Sequence, residues 1–422
     1  MITKVGIISD IHKHPENVKK AVDILAKRNV EAVIVAGDSG KAGPTPASRD
    51  YSVEVLKPLT EALSKDRFKT VIVVDGSHET IQGHGHVVYG LSKLFPGRFI
   101  DTATQRSPIR IGEQDFITMP GSEFLQGGEY KLTDKHETGP HILTVNDEEI
   151  VPVKFDGLNY GGDISPYIAF NDFRHKRDEN GRFPKIAGIQ HFFNVNDLDS
   201  LIENTQNPIL ISHNPGKYTK EGAVDHTRFH QVREYPITKS EGIKTRDSGI
   251  VTAPANLDLG TLSADSFSRD HRLETLAQNK DEEYLVTVGK DYEELAVIPA
   301  TEDISQSNSV PLGSSEDATN EKAYQIARKL AERGLIPKVY VEMDTNRGYG
   351  PLTESCDRND IRRRIGAHFH PEAGIGHTCN EEPVKQEIFT DDLCLNASHL
   401  DEGTFSLLYL RGPEVAYRVL TL

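Results

Sequence analysis

The first seventy-six residues alternate short, unbroken aliphatic runs with segments of helical period. KVGIIS (4–9), EAVIVAGD (31–38) and KTVIVVDG (69–76) show no polar alternation, so strands built from them are buried on both faces, as in a parallel sheet. Between the runs, Val18, Ala21, Val22 and Leu25 share one helical face, and Val55, Leu56, Leu59, Ala62 and Leu63 share another. Parallel neighbours need crossover connections, so this order predicts an α/β layer structure with helices against a sheet. In such sheets ligands gather beyond the carboxyl ends of the strands. Asp10 with His12, then Asp38, then Ser77 with His78 stand at those ends.

The strand pattern continues through QDFITMPGSE (114–123) and then loosens. Residues 125–185 carry many Gly, Asp, Asn and His with little periodicity and read as an irregular insertion. PILISHNP (208–215) restores a buried strand with His213 at its tip. A second insertion or subdomain follows, with the polar stretch 302–320, a helix around Ala323–Glu332 and a strand KVYVEM (338–343). FSLLYLRGPEVAYRVLTL (405–422) predicts a closing hairpin that turns around Arg411–Glu414. The expected domain plan is a discontinuous core of 1–125, 186–215 and 361–422, with insertions at 126–185 and 216–360.

A net charge of -16 over 422 residues disfavours indiscriminate nucleic-acid binding. No apolar window approaches the ~20 residues of a membrane helix, and the N-terminus lacks a signal-type apolar region. The three cysteines, Cys356, Cys379 and Cys394, lack CxxC spacing and read as reduced structural thiols. A cytoplasmic protein without a membrane partner is the expectation.

Five blocks carry the chemistry: Asp10-x-His12, Gly37-Asp38, Gly76-Ser77-His78-Glu79, His213, and Gly366-Ala367-His368-Phe369-His370. Carboxylates and imidazoles at adjacent strand ends are the donor set that a pair of divalent cations requires, with one carboxylate shared. Singly, Asp10 with His12 reads equally as a helix-capping turn, Asp38 as a turn residue and His213 as a loop histidine. Their order resembles that of the calcineurin-like metallophosphoesterase superfamily, whose blocks run DxH, GD, GNH(D/E), H and GHxH.

The resemblance implies a four-layer α/β-β-α sandwich, here with two large insertions. It also implies two divalent ions (Mn, Fe, Zn, Ni or Mg) held about 3.5–4 Å apart, activating a hydroxide for in-line attack on phosphorus. Carried over by position, Asp10, His12 and His370 bind the first metal, Asp38 bridges, and His213 and His368 bind the second. His78 steadies the phosphate or protonates the leaving oxygen. Ser77 stands where the family has an asparagine ligand, so it is either a weaker ligand of the second metal or only a turn residue. Ala367 stands where the family has glycine, while the His-x-His spacing survives.

Gly83-His84-Gly85-His86 repeats the GHxH spelling in the wrong block. It reads as a mobile glycine-rich loop, with His84 or His86 as alternative fillers of the missing asparagine position. Asp225 and His226 follow the His213 strand as a weaker candidate pair. Of Arg362, Arg363 and Arg364, Arg364 is the candidate phosphate clamp, and the others read as a solvated strand edge. The expected function is hydrolysis of phosphate monoesters or diesters, on a phosphorylated small-molecule, nucleotide or protein-borne substrate. The alternatives are a nuclease, and a degenerate member that binds metal or nucleotide without hydrolysis.

Overall fold

The computed structural model describes residues 2–41, 45–122, 128–143, 150–152, 188–218, 220, 223–224, 226–234, 250–252, 271–279, 282–288, 295–299, 311–312, 336–346, 348–368 and 374–422. They fall into two compact units, Met1–Asp225 with Gly348–Leu422, and His226–Arg347. His370, Phe369, Asp225 and the helix expected at Ala323–Glu332 lie outside the described residues.

The first unit holds two six-stranded sheets. One is built from β1 (Thr3–Ile8), β2 (Ala32–Ala36), β3 (Thr70–Val74) and β4 (Phe99–Asp101), all parallel, with the antiparallel pair β22 (Thr404–Arg411) and β23 (Glu414–Thr421) beside β1. The expected hairpin is therefore present and closes the edge of this sheet. The other sheet places β6 (Gln114–Met119), β11 (Pro208–Ser212), β19 (Arg363–Gly366) and β21 (Leu393–Asn396) in parallel, flanked by β5 (Ile109–Ile111) and β20 (Gly376–His377).

Period-two alternation decides which layer each side chain enters. Val33, Val35, Val71 and Val73 pack on α1 (Pro15–Lys27) and α2 (Thr45–Ser64), which bury the same residues whose spacing predicted them. Ala32, Ile34, Ile72 and Val74 point the other way and meet Phe116, Ile209, Ile211 and Ile365 of the second sheet. That sheet's outer face, through Ile117, Met119 and Leu210, is covered by Leu352 and Cys356 of α4 (Gly350–Arg358) and by Tyr130, Ile189 and Phe193. Helices, sheet, sheet and an outer layer make the α/β-β-α sandwich expected from the sequence. A third helix, α3 (His86–Leu94), lies after β3.

The segment read as irregular contributes order to that outer layer. β7 (Tyr130–Thr133), β8 (Gly139–Leu143) and β9 (Ile150–Pro152) join β10 (Gly188–Asn194) in a four-stranded sheet. Runs of three to five residues are too short for a period of two to stand out, so the sequence shows only their turns. Tyr218, Ala223 and Val224, together with α4, are buried in the first unit. The second unit holds a seven-stranded antiparallel sheet of β12 (His226–Glu234), β13 (Ile250–Thr252), β14 (His271–Asn279), β15 (Glu282–Val288), β16 (Leu295–Pro299), β17 (Pro311–Leu312) and β18 (Ile336–Asn346). KVYVEM lies within β18.

Candidate metal centre

Five parallel strands, β1, β2, β3, β11 and β19, end at one place, and the chain leaves each in a conformation that turns a donor inward. Asp10, His12, Asp38 and His368 have φ of 50, 42, 52 and 79°. Residues other than glycine adopt such angles uncommonly, Asp and His more readily than most. Gly37, at φ 91°, leaves no alternative: a Cβ there would stand 2.2 Å from His213 Nδ1. At Gly76 a Cβ would stand 2.6 Å from Asp38 Oδ1. The two glycines let the β2 and β3 tips close around the carboxylate.

Asp38 is the hub. Its Oδ1 accepts the backbone N–H of Ser77 at 2.7 Å and of His78 at 3.1 Å, and the Ser77 hydroxyl donates to Oδ1 and Oδ2 at 3.1 and 2.9 Å. Around it stand His213 Nε2 at 3.2 Å, His12 Nε2 at 3.7 Å and His78 Nε2 at 3.8 Å. His368 Nδ1 lies 3.1 Å from His213 Nε2, and His12 Nε2 lies 3.8 Å from Asp10 Oδ1. Asp10 is fixed through Oδ2, which accepts from the Ser9 hydroxyl at 2.7 Å and the His368 N–H at 3.1 Å.

Among the described residues two donor groups emerge, His12–Asp38–His78 and Asp38–His213–His368, each with its ligand atoms within 4.8 Å of one another. They share Asp38. Ligands at ~2.1 Å from one small cation lie roughly 3–4 Å apart, so the spacings above fit two cations. A nitrogen and carboxylate donor set suits borderline divalent ions.

Charge in the cluster is shared. Burial alone would raise the Asp38 carboxyl, but the imidazoles of His213, His78 and His12 outweigh it and hold it well below the ordinary range. Burial also opposes charge on His213, yet Asp38, with Asp10 and Glu79 behind it, carries that imidazole up to about 10. Without a cation it is an imidazolium, with Nδ1–H on the Ala36 carbonyl at 3.0 Å and Nε2–H toward Asp38.

The sequence reading placed Asp10, His12, Asp38, Ser77, His78, His213 and His368 at the centre, and the structure brings these seven together. Ser77 sits at the expected position with its hydroxyl turned onto Asp38. His78 keeps 35% of its side chain exposed while His213 keeps none, so it is the imidazole of the cluster most open to solvent.

Arg364 is not among them. Its side chain is buried on the outer face of the second sheet, donating to the Ile361 carbonyl at 2.6 Å and to Asp357 at 2.5 Å. Arg363 is also buried, on the Pro413 carbonyl. The solvated-edge reading fails there, because β19 lies between β11 and β21. Only Arg362 is exposed, paired with Asp360.

The glycine-rich loop also differs from expectation. Ile81–Gly85 is a turn of π-helix, and His84 is fully buried with Nδ1 on Ser52 Oγ at 3.0 Å and Nε2 3.4 Å from Ser39 Oγ. Burial lowers its pKa to about 3, so it is neutral. His86 opens α3, and among the described residues neither histidine joins a donor group.

One residue of the site carried no assigned role in the sequence reading. Glu79, fully buried, accepts Ser39 N–H at 2.6 Å and Gly40 N–H at 2.8 Å on Oε1, and Gly76 N–H at 2.7 Å and His78 N–H at 3.3 Å on Oε2. It staples the β2 tip to the β3 tip. Its place in the GSHE block was the only available signal.

The family pattern described as calcineurin-like phosphoesterase matches residues 3–237 of this chain. No curated protein matches it. One solved chain aligns over 100% of this chain and 99% of its own, at 9% identity and a TM-score of 0.40. Another, described as a novel archaeal phosphodiesterase, aligns over 37% of this chain and 97% of its own, at 19% identity and a TM-score of 0.21. Both scores are too low to bear on fold or activity.

Proposed function

The chain belongs to the calcineurin-like phosphoesterase family, and on that premise we propose that it hydrolyses phosphate esters at two divalent cations held by the strand-tip cluster. The observation that carries the reading is the pair of donor groups sharing the Asp38 carboxylate. From the first group His12 and Asp38, joined by Asp10 at 3.8 Å from His12, would hold one cation and leave His78 to face the ester, with His370 as the remaining candidate; Asp38, His213 and His368 would hold the other. Bound there, two such ions would neutralise phosphate charge and make water nucleophilic near pH 7.

The chain's own residues prepare the rest. The Ala36 carbonyl fixes the His213 ring by accepting from Nδ1–H, which leaves Nε2 as the donor atom. Ser77 and His78 N–H groups and the Ser77 hydroxyl aim both Asp38 oxygens. His78, the most exposed imidazole of the cluster, supplies a proton to the departing alkoxide or donates to a phosphoryl oxygen. Mono- and diesters of small molecules, nucleotides or proteins are the proposed substrates, and the -16 net charge weighs against long polyanions. No described helix is long and apolar enough to cross a membrane.

A second reading, metal binding without hydrolysis, draws on Ser77, whose hydroxyl is engaged with Asp38 in place of an amide ligand. The test is turnover of aryl phosphate monoesters and diesters by metal-depleted protein, with and without added manganese. Manganese-dependent release of the phenol supports hydrolysis; two bound ions with no turnover of either ester would favour the second reading.

A further inference from the structure

The three cysteines, 356, 379 and 394 in a chain of 422, come together. Cys379 Sγ lies 3.8 Å from Cys394 Sγ, and the buried guanidinium of Arg364 is within electrostatic reach of Cys356, Cys394 and Cys379. Cys394 belongs to β21, opposite His377 of β20, and Cys379 follows β20 by two residues. The Cys379 N–H donates to Asp392 at 2.6 Å, which places its side chain diagonally across the strand pair from Cys394. Cys394 and Cys356 are buried, while Cys379 is half-buried.

A shared soft metal is the first alternative, since thiolates on one ion lie about this far apart. Among the described residues, however, no third histidine, cysteine or carboxylate ligand comes within 4.8 Å of the two sulfurs. The pair stands as a dithiol.

We propose that Cys379 and Cys394 form a reversible disulfide that locks β20 onto β21 under oxidising conditions. The sulfurs need to close from 3.8 Å to about 2.0 Å. Cys379 has solvent access to start the exchange, and the neighbouring Arg364 charge favours its thiolate. Contact with Cys394 and burial hold the thiol form up, so the reaction is faster at alkaline pH. With a diazenedicarboxamide oxidant, two S–H bonds break and one S–S bond forms. The two electrons and two protons reduce the N=N bond to a hydrazine.

The location gives the bond a consequence. β20 begins eight residues after His368 in the chain, and its attachment to β21 is short: Gly376 pairs with Leu395 and His377 with Cys394, preceded by Gly374 N–H on the Asn396 carbonyl at 2.7 Å. A covalent tie would hold this short strand pair together beyond its two ladder pairs. The bond would join residues 15 apart and limit the unfolded chain accordingly.

The experiment treats the full chain with diamide at pH 8.5, alkylates remaining thiols under denaturing conditions and maps the peptides. The expected result is a fall from three alkylated cysteines to one, Cys356, with a Cys379–Cys394 linked peptide that dithiothreitol abolishes. Cys356→Ser should fall from two to none, and Cys379→Ser should keep both remaining thiols. Three unreacted thiols in the parent, or a linkage through Cys356, would overturn the proposal.

Discussion

Glu79→Gln changes one atom and tests how the two strand tips are held. In the parent each carboxylate oxygen accepts two backbone N–H groups. An amide keeps one acceptor. The better orientation turns it to Ser39 and Gly40 and sets an NH2 against the Gly76 N–H, where 2.7 Å now separates donor from donor. The weaker 3.3 Å contact from His78 is lost as well. An orphaned buried donor costs roughly 1–3 kcal/mol, and contacts to a charged acceptor sit at the upper end, so the variant should lose about 2–4 kcal/mol. At about 2–4 °C per kcal/mol for a large domain, the thermal midpoint drops by ~4–16 °C. Because the staple spans both Asp38-bearing and His78-bearing tips, manganese affinity should weaken in step. Scanning calorimetry and a manganese titration of parent and variant read both effects. A midpoint within ~1 °C of the parent, with unchanged manganese affinity, would refute the staple.

Three further outcomes follow from the same geometry. Metal binding must displace the proton that His213 holds up to a pKa of about 10, so manganese affinity should rise with pH by about tenfold per unit between pH 6 and 9; calorimetry in buffers of different ionisation enthalpy should find close to one proton released per chain, and none released would contradict the assignment. Ser77→Asn supplies an amide carbonyl, a better donor for a hard cation than a hydroxyl, so half-maximal activity should need less manganese with little change at saturation; an unchanged titration would make Ser77 only a turn residue. His78→Ala should cut turnover by ~10²–10⁴-fold while the bound metal, counted by mass spectrometry, stays at the parent's level; metal loss would make His78 a ligand.

The parts of the fold that were legible were those written in local periodicity. The buried faces of α1 and α2 follow from Val18, Ala21, Val22, Leu25 and Val55, Leu56, Leu59, Ala62, Leu63 because a helix forces those positions together. The site was legible as an ordered set of blocks, since each donor sits within four residues of the end of a strand. Which face of its strand a side chain takes, and contacts that depend on distant segments, were not. Arg364 adjoins a histidine block in sequence, but strand alternation sends it to the outer face, onto Asp357 and the Ile361 carbonyl. His84 spelled a ligand motif but packs under α2 against Ser52 and Ser39. Glu79 stood in plain view inside GSHE, yet nothing local says that its oxygens reach across 39 and 40 residues to Gly40 and Ser39.

If Asp38 is shared between two cations, the number of ions per chain depends on its carboxylate. Parent protein and Asp38→Asn, each loaded with manganese and freed of excess by gel filtration, are assayed by elemental mass spectrometry with protein concentration measured in the same fractions. An asparagine removes the negative charge and one of the two anionic donor atoms that offset two neighbouring cations. Two manganese ions per chain are expected in the parent, and at most one, loosely held, in Asp38→Asn. Two ions retained by Asp38→Asn, or a single ion in saturated parent, would contradict this sharing.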